Sequence, residues 1–161
     1  MPSLYPAPSE QTIEAFLGGL VSNPTHVVRV PSPEPVREPT GVIAEYVNDV
    51  DSLALVAFAD HDVVNFVGGA IAAVEAGAIQ EISQRTTLDE AALESFRGVV
   101  DGLGSSFNGE YTPALRLSEV HQLPGELSED IKQLWRRPRA KRAYRVTVDD
   151  YGSGMVILYL N

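Results

Sequence analysis

The chain has 161 residues, a formal net charge of −10 and no cysteine. That length supports a core of ordinary size, the acidity argues against general nucleic-acid binding, and the lack of thiols excludes a disulfide framework or a cysteine metal site. The opening MPSLYPAPSEQ has neither a basic start nor an apolar run, and no apolar stretch reaches the ~18 residues of a membrane helix, so the expectation is a soluble, cytoplasmic protein without nucleic-acid or membrane partners.

The charge is unevenly placed. Residues 1–131 carry five basic side chains against twenty acids, whereas residues 132–145 carry seven basic side chains and no acid. Such a cluster attracts an acidic partner or a phosphate, or it is a solvated edge that balances the acidic remainder.

Residues 1–9, rich in proline and polar side chains, predict a flexible arm, and residues 10–161 a single domain. Ser9 or Glu10 opens a short helix with Ile13, Phe16, Leu17 and Leu20 on one side, stopped by Asn23-Pro24. His26–Val30 reads as a strand, and the proline-rich 31–40 as a loop. Gly41–Val47 and Ser52–Ala59 form a hairpin around Asn48–Asp51. The second of these runs is apolar nearly throughout, which places it centrally in a sheet. Asp60 can cap the next helix, in which Val63, Val67, Ile71 and Val74 share a stripe. Gly68 and Gly69, poor helix formers, suit a close approach by another element. Gly77 reads as that helix's end.

Thr86–Asn108 is the clearest helix. Thr87 and Glu90 have capping-box spacing, and Leu88, Ala92, Phe96, Val99, Val100 and Leu103 form its apolar stripe. A second stripe, Glu94, Gly98, Asp101 and Ser105, is acidic or small and lies along one face. Gly102 or Gly104 marks the end. Ala114–His121 reads as a strand, Ser128–Arg136 as a short helix, and Lys141–Val148 with Gly154–Leu160 as a closing hairpin. Hairpins with the helices gathered on one side give an α+β class: two long helices on a mainly antiparallel six-stranded sheet, with a helix followed by three strands occurring twice.

Few chemical motifs are present. His26, His61 and His121 are too scattered along the chain for a zinc motif. Asp49, Asp51, Asp60 and Asp62 lack the denser oxygen pattern of a calcium loop and fit turn and capping duty. No phosphate-cradling loop, nucleophile elbow or dinucleotide fingerprint occurs. The expectation is therefore no cofactor and no metal. Trp135, beside Arg136 and Arg137, is either a partner contact or a cover over the core.

The element order from Val42 to Leu160 resembles that of the CheC/CheX/FliY chemotaxis phosphatases, with SLALVAFADHDVVNFVGGAIAAV similar to their strand-then-helix unit and VTVDDYGSGMVILYL similar to their last hairpin. The resemblance spans about three-quarters of the chain. It implies removal of phosphate from the phosphoaspartate of a CheY-like receiver. The motif is an Asp or Ser, a Glu four residues on, an Asn three further, and a Pro some twenty residues later. On this chain Glu94 takes the first position, Gly98 the glutamate, Asp101 the asparagine and Pro124 the proline.

The resemblance implies a glutamate that pairs with a receiver lysine and an asparagine amide that orients the attacking water. Gly98 has no side chain for the first role. Asp101 replaces an amide donor with an acceptor-only anion, which repels a phosphoryl group. A shifted register puts Glu94 at the glutamate position but Arg97 at the asparagine. Three functional readings follow. The first is a signalling domain with a degenerate site that binds a receiver or a second copy of itself, using Arg97, Ser105, Trp135, Arg136, Arg137, Arg139 and Lys141 as contacts. The second is an active phosphatase on Glu94 and Asp101. The third is an adaptor working through 132–145.

Overall fold

The computed structural model describes residues 5–108 and 114–161. Six strands form one antiparallel sheet: β1 (Thr25–Val30), β2 (Gly41–Val47), β3 (Leu53–Asp60), β4 (Arg116–Leu123), β5 (Ala140–Val148) and β6 (Gly152–Leu160), in the order β1-β5-β6-β3-β2-β4. Exchanging β1 with β4, β2 with β5 and β3 with β6 reverses that order onto itself. The chain is thus two helix-plus-three-strand units joined along β3 and β6, each lending its first strand to the edge of the other's hairpin. The all-apolar run β3 is central, as its composition requires: a strand buried on both faces has no polar alternation.

Helices α1 (Glu10–Gly18), α2 (His61–Ile71), α3 (Ala76–Gln84) and α4 (Glu90–Leu103) cover one face. Their core joins Leu17, Val63, Val67, Phe96 and Val100 to inward strand residues such as Ala57 and Leu158. Helix α5 (Glu129–Arg136) covers the other face, where Ile131 and Leu134 meet Ile43, Phe58, Ile157 and Tyr159. The helices are therefore not all on one side, as the hairpin pattern suggested. Seven apolar residues on β3 in unbroken succession, Leu53 to Ala59, need cover on both faces, and α5 supplies the second.

Three local readings are corrected. The stripe from Val63 to Val74 breaks after Ile71, where Ala73 adopts a positive φ of 57°. A separate helix, α3, follows, and Gly77 lies inside it rather than ending α2. The Glu75 carboxylate accepts from the N–H groups of Gly77 and Ala78 and opens α3. Finally, Asp89, not Thr87, caps α4, accepting from Ala92 N–H.

The cap is chosen by a residue far away in sequence. Asn65, fully buried in α2, donates to the Ser83 hydroxyl and to the Thr87 carbonyl, and its own oxygen accepts from Asp89 N–H. That buried amide fixes where α4 begins. The close crossing of α2 and α4 is equally specific: a Cβ at Gly68 would lie 2.0 Å from the Ala92 carbonyl oxygen. The end of α4 also differs from the usual glycine stop. Gly104 keeps a right-handed conformation, and the chain runs on into a 3-10 turn, Gly104–Phe107.

From residue 5 the N-terminal arm lies on the fold. Tyr5 is buried, the Tyr144 hydroxyl donates to the Pro8 carbonyl, and Ser9 caps α1. The expected loose arm is thus docked over 5–9, while its first four residues lie outside the described part. No helix among the described residues is long and apolar enough to cross a membrane.

Candidate functional site

Helix α4 buries Ala92, Phe96, Val99, Val100 and Leu103 and turns Glu94, Arg97, Gly98 and Asp101 to solvent, while Ser105, also exposed, lies past its end in the 3-10 turn. The strip marked out by its spacing is therefore a surface strip. Glu94, Arg97, Gly98 and Asp101 form one wall of an open groove of about 700 Å³, whose other wall is the edge strand β4 at Leu117, Ser118, Glu119 and Val120; Ser105 does not line it.

The groove is shaped by a bulge. Glu45 of β2 pairs with Glu119, but its neighbour Tyr46 pairs with Leu117, leaving Ser118 without a partner across the ladder. The extra residue lets Leu117 and Val120, three apart, both pack toward α4. Bulges on edge strands re-aim side chains in this way.

Two observations bear on Gly98 and Asp101. A Cβ added at Gly98 would meet no atom within 4 Å, so packing does not demand glycine there. Asp101 stands in the last turn of α4, where no basic residue is present. A carboxylate is disfavoured at that end by the helix dipole. Burial, with a smaller contribution from the Asp101 charge, holds the Tyr46 phenol far above its ordinary range. Locally, then, neither residue is what stability alone would select. With no amide at 101 and no side chain at 98, the helix offers the groove only acceptors here, plus the Arg97 guanidinium.

The basic segment lies elsewhere. Trp135 is half-buried, stacked on Tyr159 at 4.4 Å between ring centroids and set edge-on to Phe58. Lys141 reaches over the ring of the same tyrosine, 5.4 Å from its centre. Arg136 and Arg137 are exposed and line a broad cleft with Asp51, Asp130, Gln133 and Asn161. Among the described residues no acid lies within ion-pair reach of Arg136, Arg137 or Arg139. This surface belongs to the α5 face of the sheet and the α4 strip to the opposite face, so the structure does not bring the two sets of candidate residues together. Pro124 follows the end of β4.

Local spacing also missed a cluster. His121 lies against Glu45 at 3.2 Å and Glu119 at 3.6 Å. The three residues come from adjacent strands 76 positions apart, and only the strand register joins them.

No protein-family model matches this sequence, and none of the curated proteins matches it. The chain is similar in fold to several solved structures. A chain of the FliG–FliM complex from H. pylori superposes with a TM-score of 0.62 at 4% identity, over 94% of this chain and 86% of that one. FliY from Thermotoga maritima gives 0.58 at 14% identity, over 92% and 82%. The CheX–CheY–BeF3–Mg complex from Borrelia burgdorferi gives 0.50 at 9% identity, over 94% of both chains. The fold is therefore of the CheC/CheX/FliY type, as the order of elements implied.

Proposed function

We propose that this chain is a CheC/CheX-like signalling domain whose α4–β4 groove docks a response-regulator receiver, or a second copy of the chain, and that its phosphatase site is degenerate. The observation that carries this reading is the pair Gly98 and Asp101. Both are exposed on the groove wall, at the positions where the resembling enzymes place a glutamate and an asparagine. Phosphoryl transfer to water depends on positioning the nucleophile and on donors aimed at developing charge. Gly98 supplies neither, and an ionised Asp101 opposes the second. A flat glycine beside a rim of Glu94, Arg97 and Asp101 still suits a docking surface. The CheX neighbour, whose solved complex contains CheY, makes a receiver the first partner to try.

The adaptor reading keeps one specific observation: exposed Arg136, Arg137 and Arg139, without acidic partners among the described residues. Binding of a beryllofluoride-activated receiver separates the two. Gly98→Arg should abolish binding through the groove, while charge reversal at Arg136 and Arg137 should leave it intact. The opposite pattern moves the interface to the α5 face. Sedimentation of the chain alone tests self-association through the same groove, which Gly98→Arg should also disrupt.

A further inference from the structure

We propose that Glu45, Glu119 and His121 form a zinc(II) site on the outer β2–β4 ladder; Glu119 also borders the α4–β4 groove, but the site does not rest on the docking reading. The register sets it up. Glu45 of β2 stands directly across from Glu119 of β4, and Ile43 across from His121. Glu119 and His121 are two apart on one strand, so their side chains leave the same face, and Glu45 leaves it beside them. One ligand atom from each residue lies within 4.8 Å of the other two.

The distances suit a tetrahedral ion. Zinc bonds of about 2.0–2.2 Å to nitrogen and oxygen at tetrahedral angles hold neighbouring ligand atoms roughly 3.3–3.5 Å apart. The His121 Nε2 is 3.2 Å from Glu45 Oε2 and 3.6 Å from Glu119 Oε2. A small inward movement of Glu119, whose side chain is 69% exposed, would close the set. Glu45 and His121, each 21% exposed, are already held by the ladder.

Charge points the same way. Like charges directly opposite in an antiparallel pair destabilise it. Arg116, the one arginine or lysine of β4, is engaged with Asp51. The two glutamates therefore face each other with a single imidazole between them, and a bound dication answers that repulsion. The imidazole argues against calcium and magnesium, which take oxygen ligands, and among the metals that accept imidazole the near-tetrahedral spacing suits zinc. Three protein ligands leave the fourth position to water.

The test is zinc titration of the chelator-stripped chain in competition with a chromophoric chelator, with cobalt(II) as a spectroscopic substitute. One equivalent per chain should bind, and cobalt should give the intense visible bands of four-coordination. His121→Ala, Glu45→Gln and Glu119→Gln should each weaken zinc at least ~10-fold, the scale on which even outer-shell losses act. His26→Ala, at the opposite edge of the sheet, should not. Zinc should raise the melting temperature of the wild type but not of His121→Ala, since only binding to the folded state shifts it. Glu119→Gln changes an exposed side chain and so tests the site without disturbing packing. No stoichiometric binding, or affinity unchanged from wild type in His121→Ala and Glu119→Gln, overturns the proposal.

Discussion

The Tyr46 hydroxyl donates to the backbone carbonyl of Val100 at 2.5 Å, tying β2, the strand beside edge strand β4, to the last turn of the helix that carries Gly98 and Asp101. Both residues are buried, and the Tyr46 ring also packs edge-on against Phe107, 5.1 Å between centroids. Tyr46→Phe keeps the ring and removes the donor, leaving the carbonyl unpaired in the core. The expected loss is ~1–3 kcal/mol, read by urea denaturation. A loss below ~0.5 kcal/mol would mean that the bond does not hold the helix end.

Two glycines on facing helices should respond oppositely to alanine. Gly68→Ala would drive a Cβ against the Ala92 carbonyl, and backbone cannot move aside cheaply. It should cost at least ~2–3 kcal/mol. Gly98→Ala meets open space and replaces glycine inside a helix, so it should gain ~0.5–1 kcal/mol. Thermal unfolding of both variants checks the pair. If Gly98→Ala destabilised the chain, glycine there would have a structural cause, and its link to the groove's function would weaken.

These contrasts show what the sequence could and could not disclose. The hairpin read as Gly41–Val47 with Ser52–Ala59 was legible, one residue out of step with the observed Leu53–Asp60, because β-rich runs flank an obvious turn. The exposed strip Glu94, Gly98 and Asp101 was legible because helical spacing alone sets which residues share a face, whereas Ser105 falls past the helix end, in the 3-10 turn. Helix α3 was not: Ile79 and Ser83 are its only buried residues, too few to make a periodic signal, and a glycine stands in its first turn. The start of α4 was misplaced because Asn65, 24 positions upstream of Asp89, decides it. The face covered by α5, the bulge at Ser118 and the meeting of His121 with Glu45 depend on strand order and register, which no local pattern reveals.

Asp60 should make stability fall between about pH 4 and 6. It ends β3, caps α2 through Val63 N–H at 2.9 Å, and accepts from Met155 N–H of β6 at 3.0 Å. Burial outweighs these bonds and pushes its carboxyl up to about 6, from an ordinary 3.8. A raised carboxyl favours the protonated form in the folded state. Its contribution is thus fully present below the unfolded value and lost as pH rises through about 6, by up to ~3 kcal/mol. Asp60→Asn keeps an N-cap acceptor and cannot titrate. The stability difference between wild type and Asp60→Asn, in which the other groups cancel, should therefore change across this window. A side-chain carbon resonance for Asp60 that titrates near 4 would contradict the assignment.

The most direct test of the degenerate-site account is a time course of phosphoaspartate decay in a CheY-like receiver, with wild type and the double variant Gly98→Glu, Asp101→Asn at equal excess. The double variant restores a carboxylate where a receiver lysine would need one and an amide where water would be oriented; a Cβ at 98 meets nothing within 4 Å, and Asp101 is exposed. The account predicts that the wild type leaves the decay close to its spontaneous rate and that the double variant speeds it. Rapid decay with the wild type would contradict the account and assign catalysis to the groove as it stands, with Glu94, Arg97 and Asp101 as the groups to dissect.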